Sequence, residues 1–143
     1  MKVLVMIKGD GADEAATAPN DEMFAVMNAY NEQLVSAGIM LGGEGLKPSS
    51  EGAKVVFEGG RTSVVDGPFT EAKEIIAGYW IWQVTSLDEA IEWAKRCPST
   101  PELHSVLEIR PFFEMEDFAQ VVSPEILEKE KDIIERSKAN QRA

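Results

Sequence analysis

One cysteine and one histidine are all that the 143 residues offer of the side chains that most often hold transition metals. Cys97 alone cannot close an internal disulfide, which suits a reducing compartment. So few soft ligands leave only a carboxylate site for Mg or Ca open. Positive charge is also short, with 14 Lys and Arg against 25 Asp and Glu and a formal net charge of −11. A chain this acidic repels nucleic acid and anionic lipid unless it carries a basic patch, and no such patch is found. No run approaches the roughly 18 apolar residues of a membrane helix. The first eight residues have too short an apolar core for a signal peptide and lack a small-residue cleavage site. There is no G-x-S-x-G elbow and no Walker loop, so hydrolase and nucleoside-triphosphate chemistry start low. The expectation is a cytoplasmic protein with no metal and no organic cofactor.

With 44% hydrophobic and 27% charged residues the chain suits one globular domain rather than disorder. Residues 3–7 form a continuous apolar run at strand length. Asn20 is placed to cap a helix with Asp21 and Glu22 in its first turn; Met23, Val26, Met27, Tyr30 and Leu34 recur at helical spacing, and Gly38 stops it. A second strand begins at residues 39–41 and runs into Gly42, Gly43, Glu44 and Gly45. Residues 54–58 and 61–66 flank Gly59-Gly60, a two-residue hairpin signal. Thr70 is read as capping a short helical turn through Ile75 or Ile76, followed by an aromatic strand over 79–84. Ser86 caps a second helix that stops near Cys97-Pro98, residues 105–110 make the last strand, and Ser123-Pro124 opens a C-terminal helix. Fraying is expected beyond Lys138.

The order β-α-β-β-β-α-β predicts an α+β fold, a ferredoxin-like plait with an extra hairpin strand. Helices in that topology cover one face of the sheet. Val3, Val5 and Ile7 nevertheless oppose Leu4 and Met6, and Tyr79 and Ile81 oppose Trp80, Trp82 and Val84. Two apolar faces call for two covering layers, which predicts a homodimer packed sheet against sheet, with Trp80 and Trp82 in core and interface. Residues 123–143 hold five acids and five bases, so the whole −11 falls on residues 1–122. The repeat of Ile126-Leu127 as Ile133-Ile134 gives the last helix a narrow apolar seam, expected to clasp the body or the partner subunit.

The most distinctive stretch runs from Asp66 through Gly67, Pro68 and Phe69 to Glu74. Pro68 fixes the chain and leaves Asp66 at a strand end beside free turn amides. Asp66 reads either as a carboxylate for acid–base work or as an Asx-turn cap, and Phe69 as a core plug. His104, Val106, Glu108 and Arg110 share a face by period two if the last strand is unbroken. Glu108 would then raise the imidazole pKa of His104, the alternative being a surface imidazole. Arg110 is either an ion-pair partner of Glu108 or a clamp for a carboxylate or phosphate. Glu44, Lys73 and Glu74 are further polar candidates around a cleft, each with a solvated alternative. Tyr30 belongs on the helix's apolar face, with a hydroxyl that could reach a cavity. Gly42, Gly43 and Gly45 do not precede a helix, so a phosphate cradle is disfavoured and a backbone bend or a close approach to a ligand favoured.

Asp66-Gly67-Pro68-Phe69 with Glu71, Lys73 and Glu74 resembles the signature of the DGPF subgroup of the YciI-related (YCII) family. Further likenesses are Gly43-Glu44-Gly45-Leu46 with Pro48-Ser49, Asp88-Glu89-Ala90, Arg96-Cys97-Pro98, Glu108-Ile109-Arg110-Pro111 and the run from Phe113 to Phe118. The resemblance covers residues 1–127 and implies a dimeric α/β barrel, with the family domain at 1–122 and an amphipathic helix and tail at 123–143. The broader group is associated with a His–Asp pair in a cleft; Asp66 matches the Asp, whereas His104 lies outside the motif blocks. The resemblance also implies a bacterial protein related to ones encoded beside, or fused to, sigma factors.

Two functions follow as expectations. One is a cofactor-free acid–base enzyme of lyase or isomerase type acting on a small molecule, with Asp66 as base, Arg110 as orienting cation and Tyr30, Glu44, Lys73, Glu74, His104 and Glu108 as binding candidates. The other is a non-catalytic ligand-binding or regulatory module with a sigma-factor partner. The step from scaffold to activity rests on fold analogy.

Overall fold

Alternation along the first strand decides where the core lies: Val3 and Val5 are fully buried, while Leu4 and Met6, which alternate with them, are only half-buried. The computed structural model describes residues 1–10, 20–69, 74–99 and 104–141. It divides into two units, Met1–Pro111 and Phe112–Ala143.

The first unit holds β1 (Lys2–Gly9), α1 (Asp21–Ser36), β2 (Met40–Gly45), β3 (Ala53–Glu58), β4 (Arg61–Asp66), β5 (Ile75–Gln83), α2 (Leu87–Ala94) and β6 (Ser105–Pro111). Four strands form one antiparallel sheet in the order β2-β5-β1-β6, and β3 and β4 form a separate two-stranded sheet. The architecture is mixed α+β.

Local signals act as the sequence indicates. The Asn20 side chain accepts from the Met23 amide at 2.9 Å and Ser86 from the Glu89 amide at 3.1 Å, closing two helix starts. Gly59 and Gly60 turn the hairpin with positive φ, so β3 pairs with β4 without a slip. Val55, Phe57 and Val64 on this ribbon stay exposed.

Both helices pack on the same side of the four-stranded sheet. Tyr30 and Leu34 of α1 and Ala90 of α2 join Val3, Val5, Trp80 and Trp82 in one core. Trp80 is 4% exposed and Trp82 0%, so this chain's own helices cover the tryptophan face. The expectation that places these indoles partly at an interface is corrected accordingly. Burying each large apolar side chain contributes about 1.5–3 kcal/mol, which the amphipathic helices supply unaided. Trp80 Nε1 donates to Asn31 Oδ1 at 2.9 Å, and Trp82 Nε1 has no partner among the described residues.

Two more expectations change, and two lie beyond what the structure describes. Ile75 and Ile76 open β5 instead of ending a helical turn, because their backbones pair with Gly9 and Lys8 of β1. The helical cap read for Thr70, and Lys73, lie outside the described residues. Gly43 is a strand residue whose added Cβ would stand 2.8 Å from the Trp80 ring, so its close approach is to the core.

The second unit holds α3 (Met115–Phe118) and α4 (Pro124–Asn140). The Asp117 carboxylate accepts from the Glu114 amide at 2.7 Å, and the rings of Phe113 and Phe118 lie 4.9 Å apart. Ser123 accepts from the Ile126 amide at 3.4 Å, and the helix runs to Asn140, past the fraying point expected at Lys138. Pairs such as Arg136–Asp132 at 3.0 Å and Lys138–Glu135 at 3.4 Å support its last turns. No helix among the described residues is long and apolar enough to cross a membrane.

Candidate functional site

The side of the sheet away from α1 and α2 is read directly from the strand register. Glu44 pairs with Tyr79, Tyr79 with Met6, and Met6 with Glu108, so one row crosses all four strands. The next row is Gly42, Ile81, Leu4 and Arg110. Leu4, Met6, Tyr79 and Ile81 make an apolar centre, with Glu44 on one edge strand and Glu108 and Arg110 on the other. With strands about 4.8 Å apart, the two glutamates sit roughly 14 Å from each other.

Lys8 organises the polar end of this face. It follows Leu4 and Met6 at period two and pairs with Val106, which sets it diagonally beside Glu108. Its Nζ donates to Glu108 Oε1 at 2.9 Å and to Glu74 Oε2 at 3.2 Å. Arg110 Nη1 adds a longer contact of 3.6 Å to Glu108 Oε2. The Lys8 side chain is only 15% exposed, the least of any cation in these pairs.

The electrostatics follow from this geometry. Hydrogen bonds donated to Glu108 and then to Glu74 raise the Lys8 pKa above the ordinary lysine value. Lys8, with a smaller share from Arg110, holds the Glu108 carboxyl below the ordinary carboxylate range. The cluster therefore holds a fixed ammonium between two carboxylates, with a guanidinium at its rim. Such a set can orient an anionic group at its guanidinium rim and keep a carboxylate ionised, with the proton held on Lys8.

The site residues read from the sequence divide between several places. Glu108 and Arg110 share the face and touch, as the period-two reading expects; Glu74 reaches the same cluster through Lys8, and Glu44 lies across the sheet. His104 stands exposed just ahead of β6, while the Glu108 oxygens are directed at Lys8 and Arg110. Tyr30 is 3% exposed and its hydroxyl donates to the Trp93 carbonyl at 2.7 Å, which makes it a core residue in place of the ligand contact expected. Burial holds its phenol pKa above the usual range. Cys97 is half-buried with its thiol pushed up to about 11, so it stays protonated and a poor nucleophile at neutral pH.

Asp66 belongs to the other sheet, exposed at the end of β4 and opposite Ala53. The amides beside it are not free: Gly67 N donates to Gly52 O at 3.0 Å and Phe69 N to Ser49 Oγ at 2.9 Å. Buried Ser49 holds this corner, a role the sequence reading leaves in a loop. Gly67 fits only because it lacks a Cβ, which would fall 1.6 Å from Ser49 O. The Gly67–Pro68 peptide is cis. Phe69 is half-buried beneath the Lys54 ammonium, 4.3 Å from the ring centroid.

Sequence reading missed Lys8 and Ser49. The period-two spacing of Lys8 from Leu4 and Met6 is a signal for its face, but nothing local places it beside Glu108. Among the described residues no group of three or more His, Cys, Asp or Glu could hold a metal ion.

An uncharacterised protein of Rhizobium meliloti (strain 1021) is 29% identical over 104 residues, spanning 69% of this chain and 84% of that protein. Residues 1–116 match the YCII-related domain, a span that contains both the β-sheet face bearing Lys8, Glu108 and Arg110 and the Asp66–Phe69 corner. The chain belongs to the YCII-related family.

Proposed function

We propose that two copies of this chain pack sheet against sheet and hold a small molecule between them, on which Lys8 and Glu108 perform acid–base chemistry without a cofactor. The observation that carries the reading is the Glu74–Lys8–Glu108–Arg110 cluster on the sheet face turned away from α1 and α2. The strand order β2-β5-β1-β6 with both helices on one side supports a ferredoxin-like plait. Leu4, Met6, Tyr79 and Ile81 give the open face enough apolar surface to reward a second sheet. The Asp66–Phe69 run supports the DGPF subgroup.

In this reading Glu108 is the base, kept ionised by Lys8, and Arg110 orients an anionic group of the substrate. Covering the face would dry the cluster and strengthen its interactions. Asp66 serves as a second carboxylate near the hairpin, and Glu44 borders the opposite end.

Sedimentation of the full chain at micromolar concentration, followed by a thermal-shift screen of small metabolites, tests the reading. A dimer is expected that Ile81→Asp dissociates. A ligand at about 100 times its Kd should add about 2.7 kcal/mol of stability, with the effect lost in Glu108→Gln. A monomer at these concentrations would overturn the proposal. Binding without turnover would leave a ligand-binding module in place of an enzyme.

A further inference from the structure

We infer a second ligand site at the root of the β3–β4 hairpin, which adjoins the sheet-face cluster at Glu74 but is centred on Lys54 and Phe69: a cleft for a small organic anion with an apolar body. The cleft has a volume of about 480 Å3, within the range of small-molecule sites. Leu46, Pro48, Ala53, Phe69, Ile75 and Ile76 supply its apolar walls.

Charge decides the class of occupant. Four charged side chains border the cleft: Lys47, Glu51, Lys54 and Glu74. Lys47 pairs with Glu51 at 3.4 Å, and Glu74 is taken by Lys8 at 3.2 Å. Lys54 remains, with its ammonium over the Phe69 ring and no carboxylate paired to it among the described residues. The hairpin register gives the reason. Lys54 is opposite Val65, whereas Asp66 is opposite Ala53 and so projects from the other side of the ribbon.

Stacking on an aromatic face leaves the ammonium donors that point away from the ring available. A carboxylate can meet them while its apolar body lies against Phe69, Ile75 and Ile76. On a chain with net charge −11, a cation with no paired carboxylate among the described residues, at the mouth of an apolar cleft, is a local attractor for anions. The site goes beyond the proposed function and depends neither on dimer formation nor on Glu108.

Titration of the full chain with phenylbutyrate and with phenylbutylamine, followed by backbone amide shifts and calorimetry, tests it. The acid should bind saturably and shift the amides of Ser49, Ala53, Phe69 and Ile75, and the amine should bind at least about tenfold more weakly. Lys54→Gln should weaken the acid about tenfold, Lys54→Arg should keep it, and Lys47→Gln should change it less than about twofold. Glu108→Gln should leave binding intact, which separates this site from the sheet-face proposal. Equal binding of acid and amine, an unaffected Lys54→Gln variant, shifts confined to Leu4, Met6 and Ile81, or no saturation by about 10 mM would each overturn the inference.

Discussion

Lys8 Nζ lies 2.9 Å from Glu108 Oε1, joining residues a hundred positions apart across the β1–β6 ladder. Neither side chain lies in the core with Trp80 and Trp82; both stand on the face turned away from α1 and α2.

This pair sets a pH dependence. The folded-state pKa of Glu108 is depressed, so its contribution is present above the ordinary carboxylate pKa and lost as pH falls through the lower folded value. The folded-state pKa of Lys8 is raised, so its contribution is complete below the ordinary lysine pKa and lost as pH rises through the higher folded value. Urea unfolding from pH 2 to 8 should find Glu108→Gln less stable than wild type near neutrality. The two curves should converge in acid. Parallel curves across that range would show that the contact adds nothing.

The corner at Gly67 is expected to tolerate no side chain. Gly67→Ala places a Cβ 1.6 Å from Ser49 O, and the backbone must move at a cost of about 3 kcal/mol or more. Ser49→Ala removes the acceptor of the Phe69 amide and should cost about 1–2 kcal/mol. Both effects should appear in denaturant midpoints with Gly67→Ala the larger, and the reverse order would contradict the geometry.

Tyr30→Phe tests the tie between α1 and the end of α2. Losing the 2.7 Å bond leaves the Trp93 carbonyl without that donor and should cost about 1–2 kcal/mol, a fall in Tm of roughly 3–6 °C. Burial raises the Tyr30 phenol pKa, so the wild-type core loses stability as pH climbs past about 10, where an unfolded tyrosine ionises. Thermal melts at rising pH should show the variant losing less in that range than wild type.

Much of the framework is written locally. Asn20, Ser86 and Ser123 each cap the helix that the sequence assigns to them, and Gly59-Gly60 turns the hairpin without a register slip. Period-two alternation already separates Tyr79 and Ile81 from Trp80 and Trp82, because successive strand side chains must point to opposite faces. The acidic balance is likewise fixed by composition. Alternation alone does not say which of two apolar faces the helices take. Packing decides that, by closing Tyr30, Leu34 and Ala90 over the tryptophans and leaving Leu4, Met6 and Ile81 on the side away from α1 and α2. Nor does it bring Lys8 to Glu108 and Glu74, or Ser49 to the Phe69 amide, since these partners meet only through strand pairing and chain reversal between distant segments. Side-chain direction is a property of neighbouring residues; charge pairing across a sheet is a property of register, which the assembled fold sets.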